Sequence, residues 1–153
     1  MASSESRSSV NVQEALQRAG VAFEWRVCAQ PTRTASEAAA ALGVSVAAIV
    51  KSLVFMAGEA LVLVLVAGHH RVDLAQLSQV LGQQVRRARG EEVKRATGFS
   101  PGVVPPCGHA QRLRTLCDAA LLEMSKVWAA GGTAREVFAI APQELVRATQ
   151  AEV

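Results

Sequence analysis

The segment from Ala60 to Ala67, ALVLVLVA, is apolar at all eight positions. A membrane span needs roughly 20 such residues, so this run is a strand and not a bilayer helix. A strand with no polar face has nothing to offer water, and both of its faces need cover. The segment just before it, VKSLVFMA (50–57), is separated from it only by Gly58-Glu59, which is a hairpin signal. The chain must therefore place other elements on both sides of a central apolar hairpin.

The rest of the sequence supplies those elements. Val12, Ala15, Leu16 and Ala19 recur at helical spacing and predict a helix over 10–20 that stops at Gly20. Residues 1–9 are Ser-rich and polar and are expected to form a disordered N-terminal tail, with one domain over 10–153. VAFEWRV (21–27) alternates and reads as a strand. Thr34 with Glu37 predicts a capping box that opens an Ala-rich helix over 35–42, closed by Gly43. A short helical start is expected over 45–49, and Val72, Leu74, Leu77, Val80 and Leu81 predict a further helix that Gly82 stops. QQVRRA, 113–116, MSKVWAA and VFAIA (137–141) read as strands, EEVKRAT and PQELVRAT as helices, with Pro142 in the first turn of the last. Asp118 to Leu122 is expected as a turn into a helix. The expectation is a single compact α/β (α+β) domain, with one mixed, curved sheet of about six or seven strands flanked by about five helices.

Composition narrows the functional classes. With 153 residues, 50% hydrophobic and 19% charged, the chain can bury a core and is not a disordered protein. Aromatics are only 4%, so Ala, Val and Leu must build that core. Sixteen Lys and Arg against thirteen Asp and Glu leave a net charge of +3, which permits an anionic partner without implying a polybasic coat. The first ten residues lack the apolar core of a secretory signal. Cys28, Cys107 and Cys117 are odd in number and form no CxxC pair, so neither disulfides nor a zinc knuckle is expected, and a reducing cytosol fits best.

Several residues are candidates for chemistry. Lys51 lies within the apolar strand IVKSLVF. It is either a solvated edge residue or a compact positive charge aimed into a cleft at a phosphate or carbonyl oxygen. Ser52 beside it points to the opposite face of a regular strand, so the two side chains would act together only across a bulge. The loop TGFSPGVVPPCG (97–108) combines Gly98, Gly102 and Gly108 with three prolines around Phe99. It is either a surface connection or a stiff cradle of backbone N–H groups for a carbonyl or phosphate. His69, His70 and His109 have no metal-ligand spacing, no metal or cofactor is expected, and His109 is expected to be a solvated loop residue. Cys107 with His109 two residues on is a weak nucleophile pattern, and Cys28 and Cys117 read as buried thiols. The run RRARGEEVKR (86–95), with Arg112 and Arg114, is either a solvated helix face or a contact for RNA phosphates.

Four of these segments, in order and together spanning about residues 10–150, resemble the YbaK/ProX-type aminoacyl-tRNA deacylases, relatives of the editing domain of prolyl-tRNA synthetase. They are IVKSLVF with Lys51, the Gly98-xxx-Gly102-xxx-Pro106 loop, TLCDAALLE with Asp118, and VWAAGGTAREVFAIAPQEL with Gly131 and Gly132. The resemblance implies a cytoplasmic enzyme that hydrolyses the ester of mischarged aminoacyl-tRNA, of the proline type or mischarged with Ser, Thr or Ala. The substrate itself is the partner, with an aminoacyl-tRNA synthetase as a further one. No membrane or DNA partner is implied, and nothing in the sequence signals an oligomer. It also implies that Lys51, Gly98 and Gly102 are catalytic. Ser52, Phe99, Pro106, Gly108, Asp118, Gly131 and Gly132 would be substrate-binding. An ester is already activated, so orientation and a cradle for the developing oxyanion suffice without a side-chain nucleophile. The sequence departs from the family pattern at Val103, Ala130 and the turn Gly132-Thr133-Ala134-Arg135. The competing reading is a non-catalytic module with the same fold that binds tRNA or a nucleotide.

Overall fold

The computed structural model describes residues 4–153, with side chains from Val10 onward. The helices are α1 (Ser4–Ala19), α2 (Ala35–Leu42), α3 (Leu74–Leu81), α4 (Gly90–Thr97) and α5 (Pro142–Thr149). The strands are β1 (Glu24–Val27), β2 (Val50–Ala57), β3 (Ala60–Ala67), β4 (Val85–Arg87), β5 (Arg114–Cys117), β6 (Val127–Ala130) and β7 (Glu136–Ile140). One-turn 3-10 helices cover Val46–Ala48 and Ala119–Glu123. Helix α1 begins at Ser4, so residues 4–9 extend it and do not form the expected tail. The rest of that tail lies outside the described residues.

The hairpin of β2 and β3 is central, as its apolar run requires. β2 pairs antiparallel with β3 through all eight residues, from Val50 opposite Ala67 to Ala57 opposite Ala60. β5 adds to β3 in parallel and β4 to β2 antiparallel, giving the order β4-β2-β3-β5. Pleating sends Leu63, Leu65 and Ala67 into a core with Val12 and Leu16 of α1, Val93 and Ala96 of α4, Leu145 of α5 and Phe138. Val62, Val64 and Val66 point the other way, into a smaller core with Phe55 and Leu77 of α3. Fully burying one such side chain contributes about 1.5–3 kcal/mol, so a strand covered on both faces anchors the domain.

The expected single sheet is instead two. β1, β7 and β6 form a separate antiparallel sheet in that order. It meets the first sheet at a single parallel bridge between Ile49 and Trp128. A third apolar cluster sits behind this junction, where Ala38 and Ala39 of α2 pack on Cys28, Ile49, Trp128, Val137 and Ala139. Thr34 caps α2 as expected, accepting from the Glu37 N–H at 3.1 Å.

Candidate active site

Beyond the Ile49–Trp128 bridge the two sheets diverge, and a cleft of about 330 Å³ opens between them. Its walls are the edge of β2 at Lys51, Ser52 and Leu53, the edge of β6 at Ala129 and Ala130, and the segment from Thr32 to Ala35 that leads into α2, with Ala38. Gly102 and Val104 close one side, and Arg33 and Arg87 stand at it as well.

The register dictates which backbone groups face this cleft. Gly68 N–H donates to Ile49 C=O at 2.8 Å, so the odd residues of β2 bond to β3. Antiparallel alternation then turns the N–H and C=O of the even residues away from β3. Those of Val54 and Met56 meet β4, and Ala88 N–H donates to Val54 C=O at 3.1 Å. Ser52 lies before β4 begins, so its N–H and C=O face the cleft. In β6, Gly131 N–H donates to Glu136 C=O at 2.8 Å, and the same alternation turns the N–H and C=O of Ala130 toward β2. The cleft is therefore a parallel ladder with a single rung, and main-chain donors and acceptors are turned toward it from both edges. The Ser52 hydroxyl is buried beside it without a hydrogen-bond partner. A buried polar group left in that state costs about 1–3 kcal/mol, which a ligand or water in the cleft would offset.

Lys51 and Ser52 do point to opposite faces of β2, which runs without a bulge. Both still line the cleft, because it lies along the edge of the strand and not on either face. The Lys51 side chain shares the face of Phe55, and its ammonium donates to the carbonyl of His70. Burial pushes the Lys51 pKa below its ordinary value, the positive charges of Arg71 and Arg87 push the same way, and Asp118 opposes them. Arg87 is held with its guanidinium 5.6 Å from the centre of the Phe55 ring.

The other sequence candidates fall in different places. Of the Gly/Pro loop, Gly102 and Val104 line the cleft. Gly98, which caps α4, lines a second recess with Phe99, Gly108 and His109, against Asn11, Glu14 and Arg18 of α1. Phe99 is 3% exposed and belongs to the main core, and Pro106 is buried. Gly108 lies so close to α1 that a Cβ would sit 3.0 Å from the Val12 backbone. Asp118 lines a third recess beyond β3 with His70 and Arg71. Gly131 and Gly132 stand just past the β6 wall. A Cβ on Gly131 would come within 2.8 Å of the Trp25 ring. Their turn straps the 28–32 segment in place, since Cys28 N–H donates to Arg135 C=O at 2.6 Å and Thr32 N–H to Ala134 C=O at 2.7 Å. That strap carries Arg33 and Thr34 to the cleft.

His109 is not the solvated residue expected. It is half-buried, its Nε2 lies 2.7 Å from the Pro105 carbonyl oxygen, and its ring packs edge-on to Phe99. Burial pushes its pKa down. Burial also raises the Cys107 thiol to about 12, which removes the thiolate a nucleophile needs. Cys28 and Cys117 are buried, as expected. Among the described residues, no three His, Cys, Asp or Glu side chains are grouped to hold a metal, and no helix is long and apolar enough to cross a membrane. Arg33 escaped the sequence reading, while His70 was weighed only as a metal ligand and Trp128 entered only as part of a strand motif. Arg87 was visible only as part of a basic run, in which Arg86 pairs with Glu92 at 2.9 Å.

A fold of two sheets hinged at one rung, with a lysine and open strand edges in the gap, is that of an editing domain. The family model described as an aminoacyl-tRNA editing domain matches residues 29–148, and the chain belongs to that family. A crystal structure of a candidate trans-editing enzyme for prolyl-tRNA synthetase superposes with a TM-score of 0.90 at 44% identity, covering 95% of this chain and 94% of that one. The uncharacterized protein YwhH of Bacillus subtilis (strain 168) is 32% identical over 113 residues, 73% of this chain and 72% of YwhH. The proline–tRNA ligase of Stenotrophomonas maltophilia (strain R551-3) is 34% identical over 114 residues, which is 71% of this chain but only 20% of the ligase.

Proposed function

We propose that this protein is a cytosolic aminoacyl-tRNA deacylase that removes a wrongly attached amino acid from tRNA, with prolyl-type tRNA as the foremost substrate class. The observation that carries the reading is the opened ladder: a cleft lined by Lys51, toward which the strand registers turn the main-chain N–H groups of Ser52 and Ala130. Water adds to the ester carbonyl and gives up a proton, the carbonyl oxygen takes on negative charge, and as the carbonyl re-forms the C–O bond to the ribose breaks and the ribose oxygen takes up a proton. Donors already fixed in a partly dry cleft stabilise that oxyanion without reorganising. Lys51, Ser52 and Gly102 are the residues proposed to contact the aminoacyl ester. Arg33 and Arg87 at the cleft are suited to the phosphates of the tRNA 3′ end.

The cleft favours a small amino acid. Ala38, Leu42, Ile49, Trp128 and Val137 line it, and a pocket of this kind excludes large side chains by contact more sharply than it separates homologues differing by one methylene. The test is hydrolysis of a panel of tRNAs mischarged with Ala, Cys, Ser and Thr, by wild type and by Lys51→Ala. Turnover of one member, reduced about 100-fold in the variant (about 2.7 kcal/mol of barrier), is the expected result. Tight tRNA binding with no turnover of any member overturns the enzyme reading in favour of a non-catalytic binding module.

A further inference from the structure

A chain of hydrogen bonds leads from the Lys51 side chain through the β3–α3 turn to Asp118 at the end of β5. The Lys51 ammonium donates to the main-chain carbonyl of His70, in the turn between β3 and α3. The His70 ring in turn sets Nδ1 2.7 Å from Asp118 Oδ2. That same oxygen accepts from the Ala67 N–H at 3.1 Å, and Oδ1 accepts from the Ala120 N–H at 3.0 Å. Asp118 is itself fixed at the end of β5, where its N–H donates to Leu65 C=O at 2.8 Å. One carboxylate thus ties the last residue of β3, the following turn and the 3-10 helix after β5.

Resting on the deacylase reading, we infer that Asp118 and His70 are positioning residues for Lys51. Asp118 clasps the His70 ring, the clasp fixes the turn, and the turn's carbonyl aims the ammonium. Neither side chain lines the cleft that holds Ser52 and Gly102. The clasp works from the far side of β3.

Charge adds a second role to geometry. The groups that bear on the Lys51 ammonium are Arg71 from the same turn, Arg87 from β4, and Asp118. Two are positive, and Asp118 is the one negative charge among them. The His69 ring lies against His70, tilted by 34° with centroids 4.0 Å apart. Burial would raise the Asp118 carboxyl, but hydrogen bonds from His70, Ala120 and Ala67 together hold it below its ordinary value, so it is ionised at neutral pH. An ionised Asp118 favours the charged form of Lys51, and removing that charge must shift Lys51 titration to lower pH.

The chain has only three lysines, Lys51, Lys94 and Lys126, so lysine Cε resonances can be followed one by one, with Lys51→Ala identifying its signal. Asp118→Asn removes the charge and keeps an acceptor oxygen for one of the two main-chain donors, and His70→Ala keeps the carbonyl while removing the clasp. The expected result is a Lys51 titration moved to lower pH in Asp118→Asn and altered in His70→Ala, with Lys94 and Lys126 unmoved. The alkaline limb of kcat/KM for deacylation moves to lower pH alongside it, and lost rate returns as pH is lowered. A merely structural role would lower the rate equally at every pH. A Lys51 titration unchanged in both folded variants overturns the inference. A wild type that hydrolyses no aminoacyl-tRNA would instead sink the functional reading, leaving the resonance measurement to decide the clasp.

Discussion

The two halves of β2 are built alike and used differently. From Val54 to Ala57 the strand is bonded on both edges, to β3 and β4, and Phe55 is among the most deeply buried side chains of the molecule. From Lys51 to Leu53 its only ladder is with β3, and its other edge borders the cleft. An unpaired edge normally invites another chain to pair with it. Here β6 stands across the gap, with Lys51, Arg33 and Arg87 at its walls. The difference lies in the length of β4, whose three residues end before Ser52.

Substitutions can break that contrast. The largest effect belongs to the closed half: Phe55→Ala empties a buried ring site and lowers unfolding stability by about 3–5 kcal/mol in denaturant titrations. A pair of glycine variants separates scaffold from site. Gly131→Ala drives a methyl toward the Trp25 ring and costs about 1–3 kcal/mol of stability. Gly102→Ala meets open space but must hold φ near 90°, so it costs about 1–2 kcal/mol and, in the cleft wall, the larger share of deacylation activity. Equal activity losses in the two would erase the distinction drawn between them.

Ser52→Ala has the opposite sign. Replacing a buried hydroxyl that has no partner should leave stability unchanged or raise it by about 1 kcal/mol while reducing deacylation. A stability loss above that size would show the hydroxyl to be satisfied in the free protein. The smallest effect is at Cys107. With its thiol pushed up to about 12, alkylation by iodoacetamide at pH 8 should be slower than for an exposed cysteine by orders of magnitude and leave activity intact. Rapid labelling with loss of activity would restore Cys107 as a candidate nucleophile.

Most of the fold was legible because its signals are local. An all-apolar strand, a two-residue turn and a Thr–Glu cap each act within a few residues, and the hairpin and α2 appear where those signals put them. The split into two sheets was not, because it depends on how far two distant edges stay within bonding distance, which no local pattern encodes. The same holds for the candidate site. Lys51 was visible as a charge in an apolar strand, but the gap it borders comes from a rung between residues 79 positions apart (128 − 49). Asp118 was visible as an acid, whereas its tie to His70 spans 48 positions. The loop glycines misled in a specific way: Gly108 answers to the backbone of α1 and Gly98 to the end of α4, and only Gly102 reaches the cleft.

The lone rung between Ile49 and Trp128 also makes the width of the cleft a question of packing. The sheets share one core through Phe138, Leu63 and Leu65 but only one main-chain rung, so the side chains packed behind that rung set how far apart the cleft edges stand. Cys28 and Ala39 pack behind that rung without lining the cleft. Changing the bulk of either would reset the gauge from outside, so the size of amino acid admitted can be retuned by residues that never touch it.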